Sequence, residues 1–351
     1  MAKNKILYIT GASFDPPSAQ LIHVLKMSSS LLEFYDVDLF IFDKTYKVNL
    51  DSFNLQNKPN IISRRRKRYS VSLQMAFILI KLLITQSYRV VVTRNVFICF
   101  ICHLLNKKFI YETHDAIRGT LKNIFERSVL KSNSLVKFIV ISESLAKDYK
   151  NLFDCSPSVC HDAADIFDKN IILRKEVKKI FYIGSVYKGR GIEIIQDLST
   201  LHQDIEFHIF GGKEVYKDKN MFFRGYISQK EIQLEILEAD IVLMPYQVNL
   251  ETVGGGINTV RWMSPMKMFE YMSFGIPIIS SDLPVIREVL NSHNSILVKP
   301  SDLIEWNNAI NKLKQDVQLR TRISTEAKMD QQKKYTWDKR AKLFHQFIQN
   351  A

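Results

Sequence analysis

The chain has 351 residues, of which 46% are hydrophobic and 24% are charged, a balance that excludes a disordered protein and favours a globular one. A single ordinary hydrophobic core does not extend over this length, so we expect two domains. The net charge of +13 is uneven: residues 1–165 carry 23 Lys and Arg against 14 Asp and Glu (+9), and residues 166–351 carry 26 against 22 (+4). The N-terminal half is therefore expected to face an anionic partner.

The first half of the chain alternates short β-branched and aromatic runs with helical patterns. Strands are predicted at KILYIT, VDLFIF, RVVVT, KFIYET and FIVIS, and helices near residues 18–33, 70–86, 95–105, 118–131 and 143–150. The pattern lapses over a polar stretch and then restarts, with strands predicted at KIFYIGS, IEFHIFG, ADIVLMP, GIPIISS and NSILVKP. Such βα repetition predicts mostly parallel sheets covered by helices on both faces, with ligands at the carboxyl ends of the strands.

These elements predict an α/β fold made of two doubly wound, Rossmann-like domains that face each other across a cleft. We place the N-terminal domain at residues 1–165, a linker at 166–177 and the C-terminal domain at 178–335. The last helix, in residues 336–351, is expected to pack back on the N-terminal domain.

Neither a signal peptide nor a membrane anchor is predicted from the first residues, MAKNKILYIT, and we expect a cytoplasmic protein. The spacing of Cys99 and Cys102 puts both thiols on one face of an apolar helix. A zinc or redox site that also uses Cys155, Cys160 and His161 is the alternative. Buried, reduced thiols are favoured, because neither cysteine pair has a second pair at metal-ligand spacing.

A run of five basic residues, Arg64 to Arg68, precedes the apolar helix pattern YSVSLQMAFILIKLLITQ. That pattern is too interrupted to span a bilayer, but it can lie on one. Each basic residue near an anionic leaflet contributes about 1 kcal/mol, which favours a reversible contact with an anionic membrane surface. A solvated loop beside a core helix is the alternative. Nucleic acid is not expected, since no aromatic or glycine pattern of an RNA-binding module accompanies the charges.

Two carboxylates, Asp36 and Asp38, match a spacing that binds a divalent ion in some enzymes. They open the strand VDLFIFD, whereas ligands in open α/β sheets bind at the opposite, carboxyl end of the strands. We therefore interpret them as a solvated strand start and predict no metal site.

The segment SPMKMFEYMSFGIPIISSDLP predicts a helix that starts at Ser264, whose hydroxyl can cap it, and stops at Gly275. Lys267 and Glu270 lie three residues apart on one face near the N-terminus of that helix, and Met266 lies toward the other face. Free backbone N–H groups, the positive end of the helix dipole and an ammonium group together bind an anion, such as a diphosphate. A carboxylate one turn further accepts hydrogen bonds from a ribose diol. The alternative is an ordinary surface salt bridge.

These residues resemble the donor-binding segment of family-4 glycosyltransferases, retaining GT-B enzymes that use nucleotide-diphospho sugars without a metal. The same resemblance covers most of residues 178–345, and it is carried by the segments IGSVYKGRGIEII, FHIFGG, FFRGYIS, ADIVLMPY and YTWDKRA. It implies that Gly184 is the turn glycine, that Arg190-Gly191 stand where the family usually has Lys-Gly, and that His114 in YETHD lies near the transferred sugar.

Two positions depart from the family pattern. The first of the family's two glutamates would fall at Trp262, and the arginine that usually follows the turn glycine is Ser185 here. Diphosphate binding would then fall to Arg190, Lys267 and the backbone amides of Met266 and Lys267. Glu251 and the three glycines 254–256, with Gly255 at their centre, are candidates for a replacement acid and for close backbone approach.

The resulting hypothesis is a retaining glycosyltransferase that moves a sugar from a UDP- or GDP-linked donor to a saccharide or lipid-linked acceptor in bacterial polysaccharide or lipopolysaccharide assembly. Arg190 and Lys267 would stabilise the leaving diphosphate, Glu270 would bind the ribose, Tyr226 would flank the base and His114 would contact the sugar. Two alternatives stay open: a sugar-nucleotide epimerase of the same fold, and an inactive nucleotide-sugar-binding subunit.

Overall fold

The computed structural model describes residues 3–14, 18–43, 50–68, 70–115, 119–169, 171–249 and 258–350. The chain divides into two compact units. Unit 1 comprises Met1–His161 together with Trp337–Ala351, and unit 2 comprises Asp162–Thr336. The first boundary predicted from the sequence lies four residues later, at 165.

Unit 1 is built on a parallel sheet with helices between its strands. Its strands are β1 (Lys5–Ser13), β2 (Asp36–Phe42), β3 (Asn60–Arg64), β4 (Val90–Thr93), β5 (Phe109–Thr113), β6 (Leu135–Val140) and β7 (Ser158–Val159). Its helices are α1 (Ala19–Leu31), α2 (Val71–Thr85), α3 (Val96–Leu104), α4 (Thr120–Leu130) and α5 (Glu143–Phe153), and the chain returns at its end with α12 (Trp337–Gln349). The strand order is β3-β2-β1-β4-β5-β6-β7, so the winding reverses between β1 and β4.

Unit 2 repeats this winding. Its strands are β8 (Lys179–Ile183), β9 (Glu206–Phe210), β10 (Val215–Asp218), β11 (Met221–Arg224), β12 (Ile241–Met244), β13 (Ile278–Ser281) and β14 (Ile296–Val298). Its helices are α6 (Ile192–Leu201), α7 (Gln229–Glu235), α8 (Met266–Phe274), α9 (Pro284–Arg287), α10 (Leu303–Gln315) and α11 (Val317–Lys334). The strand order is β10-β11-β9-β8-β12-β13-β14, in which β10 alone among the described strands runs antiparallel to its neighbour. The winding here reverses between β8 and β12.

The predicted α/β fold class is confirmed, with every strand and helix of the sequence analysis present in the described residues. Four strands were not predicted. β3 and β10 are edge strands whose residues are partly or fully exposed, β11 pairs with β10, and β7 has only two residues. Exposed edge strands lack the continuous apolar run that marks a buried parallel strand.

The interpretation of both acids at the start of β2 as solvated is wrong for Asp38. Asp36 is exposed, but Asp38 is only 2% exposed. Its carboxylate accepts hydrogen bonds from Asn60 and from the Tyr88 hydroxyl, and it pairs with Lys5 at 3.0 Å. Asp38 therefore has a structural role at the N-terminal edge of the sheet.

The prediction that Cys99 and Cys102 are buried thiols is confirmed, since both are fully buried and neither forms a disulfide. Burial raises the pKa of the Cys102 thiol to about 12, which leaves it protonated and unreactive near neutral pH. Among the described helices, none combines the length and the apolar character needed to cross a membrane.

Candidate active site

Helix α8 is fixed to the end of β8 by Tyr271. The Tyr271 hydroxyl accepts a hydrogen bond from the backbone N–H of Ile183, the last residue of β8, at 2.7 Å. Tyr271 is fully buried, and it lies one turn after Lys267 on the same face of the helix. This bond holds the first turn of α8 over the carboxyl end of β8, where the sheet reverses its winding and α/β proteins bind ligands.

The side chain of Lys267 extends from the first turn of α8 and lies against the ring faces of two tyrosines. Its Nζ lies 4.1 Å from the ring centroid of Tyr182 and 4.7 Å from that of Tyr246. Nζ is buried, and among the described residues it has no hydrogen-bond partner. The Tyr182 hydroxyl donates to the carbonyl of Ser185 at 2.6 Å, which fixes the ring. Nζ of the side chain predicted to face a ligand is thus buried and lacks an acceptor among the described residues.

Arg190 converges on the same tyrosine. Its guanidinium lies 5.3 Å from the ring centroid of Tyr246, and its buried Nε has no hydrogen-bond partner among the described residues. Arg190 stands in the loop between β8 and α6, and this loop lies against the loop after β12. The backbone N–H of Gln247 donates to the carbonyl of Gly189 at 2.9 Å. The two cations predicted from sequence therefore share one aromatic ring at the reversal point of unit 2.

Two glycines make this close approach feasible. Gly191 has a φ of +79°, and a Cβ there would lie 1.9 Å from the carbonyl oxygen of Pro245. Gly184 has a φ of +152°, and a Cβ there would lie 2.9 Å from Nζ of Lys267. Gly191 lets the two loops meet, and Gly184 leaves room for the ammonium group.

The charge of Lys267 is strongly disfavoured in this setting. Burial, followed by the positive charge of Arg190, holds the pKa of Lys267 well below its usual range, while Glu270 acts in the opposite direction. Burial also raises the pKa of Tyr182 and of Tyr246, which keeps both phenols neutral. Buried nitrogen donors without hydrogen-bond partners among the described residues, on Lys267 and Arg190, suit an anion.

Glu270 contacts the first residue of α7, the helix that follows the loop carrying Tyr226. The side-chain amide of Gln229 donates to Glu270 at 3.4 Å, and Gln229 opens the helix that follows the loop carrying Tyr226. Tyr226 is 75% exposed, with a ring face open to solvent. Tyr226 is predicted to flank the base, and Glu270 is predicted to bind the ribose. Tyr226 thus precedes Gln229, the residue that contacts Glu270, by one short loop.

The predicted capping role of Ser264 is wrong. Pro265 is the N-cap of α8 and gives no side-chain hydrogen bond, whereas the Ser264 hydroxyl accepts from the backbone N–H of Asp162 at 3.1 Å. Met266 is the first residue of α8, so its backbone N–H belongs to the group that helix geometry leaves without an intrahelical partner. Trp262 is buried, and Glu251 and Gly255 lie outside the described residues.

A second charged cluster lies in unit 1, centred on one oxygen of Glu112 at the end of β5. Oε1 of this fully buried carboxylate lies 2.9 Å from Arg94 Nη2, 3.4 Å from Arg340 Nη2 and 2.5 Å from His114 Nε2. Nε2 of His23, in α1, is 3.3 Å away. Burial alone would raise the pKa of Glu112, but the charges of Arg340 and Arg94 outweigh it and hold the pKa well below its usual range.

This cluster was missed by sequence reasoning apart from His114. The other partners of Glu112, which are His23, Arg94 and Arg340, lie in other segments of the chain, and no local pattern marks them as partners. His23, Glu112 and His114 come close enough to share a metal ion. Two guanidinium groups already bind the same carboxylate oxygen, however, and their positive charge opposes a divalent cation there. The geometry fits a buried ion-pair network centred on Glu112, which includes His114, better than a metal centre.

The family model that matches this chain does so within unit 2. The sequence model of the family described as "Glycosyl transferases group 1" matches residues 177–316, a segment that includes β8, α8, Arg190 and Lys267. Arg190 and Lys267 thus lie within the part of the chain that the family model matches. No curated protein matches the chain.

Solved structures share the fold of this chain over its whole length. A glycosyltransferase from Rickettsia africae ESF-5 has a TM-score of 0.77 at 13% identity, covering 100% of this chain and 99% of the other. Anabaena HepE in complex with UDP and glucose has a TM-score of 0.73 at 13% identity, covering 99% and 100%. The lipopolysaccharide outer core galactosyltransferase WaaB has a TM-score of 0.66 at 16% identity, covering 99% of each chain. These likenesses assign the GT-B fold, as the sequence resemblance implied.

Proposed function

We propose that this protein is a retaining glycosyltransferase that transfers a sugar from a nucleotide-diphospho sugar to a saccharide or lipid-linked acceptor, without a metal ion. The observation that carries the proposal is the pairing of Arg190 and Lys267 on one tyrosine ring at the carboxyl ends of β8 and β12. Both present buried nitrogen donors without partners in the described residues, and a diphosphate supplies the acceptors and the negative charge that they lack.

The same groups serve the chemistry of transfer. When the glycosidic bond breaks, negative charge grows on the diphosphate, and preorganised cations in a dehydrated site stabilise that charge. The N-terminus of α8 adds the positive end of its dipole. Glu270 is assigned to the ribose and Tyr226 to the base. His114 keeps the sugar contact that the family resemblance implies, and this assignment stays a prediction.

The nucleotide and the setting are proposed from the solved relatives. HepE was solved with UDP and glucose, so UDP is the first nucleotide to test, with GDP second. WaaB acts in the outer core of lipopolysaccharide, which supports an acceptor in bacterial surface polysaccharide or lipopolysaccharide assembly. We place that acceptor on the cytoplasmic leaflet, as a saccharide attached to a lipid.

Incubation with a nucleotide sugar in the absence of acceptor separates the proposal from its two alternatives. We expect slow release of free sugar and nucleotide diphosphate, because the site stabilises the leaving group even when water is the only acceptor. Product analysis by anion-exchange chromatography measures this directly. An isomeric nucleotide sugar would identify an epimerase, and unchanged UDP- and GDP-sugars despite binding would identify an inactive subunit.

Turnover should be unchanged in EDTA. Cationic side chains, rather than a divalent ion, balance the diphosphate charge in this proposal. Among the described residues, the one cluster with the spacing of metal ligands is His23, Glu112 and His114, and its carboxylate already pairs with Arg94 and Arg340. The rate of sugar release is measured before and after chelation and dialysis. Loss of activity that added Mg²⁺ or Mn²⁺ restores would contradict the metal-independent mechanism.

A membrane contact is proposed for α2. Its buried residues, Met75 among them, face the core. The opposite face carries four large apolar side chains at helical spacing with exposures of 55%, 72%, 42% and 80%: Leu73, Phe77, Ile80 and Ile84. The basic residues Arg64 to Arg68 are all exposed, and Gln74 ties their loop to α2 through two hydrogen bonds with the backbone of Lys67. Exposed apolar and basic groups side by side match an anionic lipid surface.

Liposome flotation tests this contact. Recovery should require anionic lipid and should fall with salt, because charges are screened within about 8 Å at physiological ionic strength. Phe77→Ser with Ile84→Ser should lower the partition coefficient at least about tenfold, and Gln at residues 64–68 should abolish the preference for anionic lipid. Ile172→Ser, at an 88% exposed site in unit 2, is the matched control. Equal recovery of all proteins on neutral and anionic vesicles would favour a soluble acceptor.

A further inference from the structure

Lys267 poses a problem of charge that the donor-site assignment alone does not solve. Its Nζ is buried without a hydrogen-bond partner among the described residues, although an ammonium group carries three donors. Two ring faces and the backbone of Gly184 lie against Nζ, and none of them supplies a side-chain acceptor. A buried ammonium without acceptors is far less stable than a neutral amine in the same place.

The groups that face Nζ come from α8, from β8 and from the two loops that follow β8 and β12. From α8 come Glu270, which favours the ammonium form, and Tyr271, whose hydroxyl is bound to Ile183. From β8 comes the neutral ring of Tyr182. From the loops after β8 and β12 come Arg190, whose positive charge disfavours a second cation, and the neutral ring of Tyr246.

The balance of these groups favours the neutral amine. The attraction of an ammonium to two tyrosine faces is a smaller contribution than the desolvation of a buried charge. Desolvation and then Arg190 hold the pKa of Lys267 well below its usual range, against the single opposing charge of Glu270.

We propose that Lys267 is an uncharged amine in the free protein and takes up one proton from solvent when a nucleoside diphosphate binds. This inference rests on the proposed donor site. The amine and one solvent proton give the ammonium, with no other bond made or broken. The phosphate oxygens supply the missing acceptors, and their negative charge also offsets that of Arg190. Binding thereby creates the cation that later stabilises the leaving group.

If binding takes up a proton, the affinity for the nucleoside diphosphate must fall as the pH rises. Where the pH lies between the pKa of Lys267 in the free and in the bound protein, each rise of one pH unit weakens binding tenfold, because a proton must be supplied. A site in which Lys267 is already charged would show no such dependence. Measurements at pH 8 and above avoid the second ionisation of the terminal phosphate, near pH 6.

Isothermal titration of the full-length protein with UDP at pH 8, in HEPES and in Tris, measures the uptake. The dependence of the binding heat on the ionisation enthalpy of the buffer gives the number of protons taken up. We expect close to one for the natural protein and close to zero for Lys267→Arg, which stays charged throughout. Lys217→Met is the control, since Lys217 also lies over an aromatic ring, 4.6 Å from the centroid of Phe222, but is exposed. It should still take up one proton.

Each outcome separates the inference from the donor-site proposal. Binding of UDP with no proton uptake, or uptake that persists in Lys267→Arg, overturns the inference and leaves the donor site standing. If UDP does not bind, the titration is repeated with GDP, and absence of binding by both overturns the donor site itself. Binding to the natural protein that weakens about tenfold from pH 8 to pH 9, with no such change in Lys267→Arg, supports the inference independently of buffer heats.

Discussion

Lys267→Met and Arg190→Met should each lower the rate of sugar release about 100- to 1,000-fold, the loss of about 2.7–4 kcal/mol that follows removal of one electrostatic donor to a transition state. Both cations lie on the ring of Tyr246, so both act on the same developing charge. The effect belongs to kcat, because the interaction is strongest when the diphosphate leaves. The double variant should lose less than the product of the two single losses, since the residues share one target.

The folded state should tolerate Lys267→Met. The methionine has a similar length, and it removes a buried nitrogen that has no hydrogen-bond partner in the described residues. Urea unfolding of unit 2 is therefore expected to occur at an equal or a higher concentration. Lys217→Met, at the exposed lysine on β10, is the matched control for turnover. Wild-type turnover in Lys267→Met or Arg190→Met would remove these residues from the mechanism.

Strand and helix order could be predicted because parallel strands buried on both faces show as runs of apolar residues. VVVT at β4 and IVLM at β12 are such runs, and the helices between them begin at glycine or polar N-cap residues. β3 could not be found in this way. Its residues NIISR are half-buried or exposed at the sheet edge, and they run into the basic loop.

Only part of the candidate active site could be predicted from the sequence, because local patterns show some of its residues and not others. Lys267 and Arg190 stand out because charges at a loop or in the first turn of a helix are visible locally. Tyr182 and Tyr246 read as ordinary strand and core aromatics, and only the fold shows that their faces enclose Lys267. Ser264 has the residue type of an N-cap, but tertiary structure directs its hydroxyl to Asp162 instead. Contacts between residues distant in sequence determine the role of a side chain where its local sequence pattern does not.

Glu112 is the clearest case of such a pairing, and its replacement should have the largest effect on stability. Glu112→Gln leaves Arg94 and the 3% exposed Arg340 without their shared counter-charge. Breaking a buried ion pair from one side costs about 3–5 kcal/mol, since the remaining charges stay buried and uncompensated. Amide hydrogen exchange in the β5 and α12 peptides should rise accordingly, while the α8 and β12 peptides of unit 2 should be unaffected.

Glu238→Gln is the matched control. Glu238 also pairs with two cations, Arg174 at 2.5 Å and Lys179 at 3.1 Å, but its side chain is 52% exposed. An exposed pair contributes about 0–1 kcal/mol, so this variant should change exchange in unit 2 very little. Similar small effects of the two substitutions would show that the Glu112 network does not hold unit 1 together.

The stability that Glu112 contributes should also depend on pH in a specific direction. Arg340 and Arg94 overcome the effect of burial and hold the pKa of Glu112 in the folded protein well below its usual range, which in an unfolded chain is about 4.3. A depressed folded pKa gives a contribution that is complete above the unfolded pKa and is lost as the pH falls through the folded pKa. The difference in stability between the natural protein and Glu112→Gln should therefore be constant from about pH 8 down to about pH 5 and shrink below about 4.3. A difference that grows on acidification would mean that Glu112 is protonated in the fold, and that the guanidinium groups of Arg94 and Arg340 are not its counter-charges.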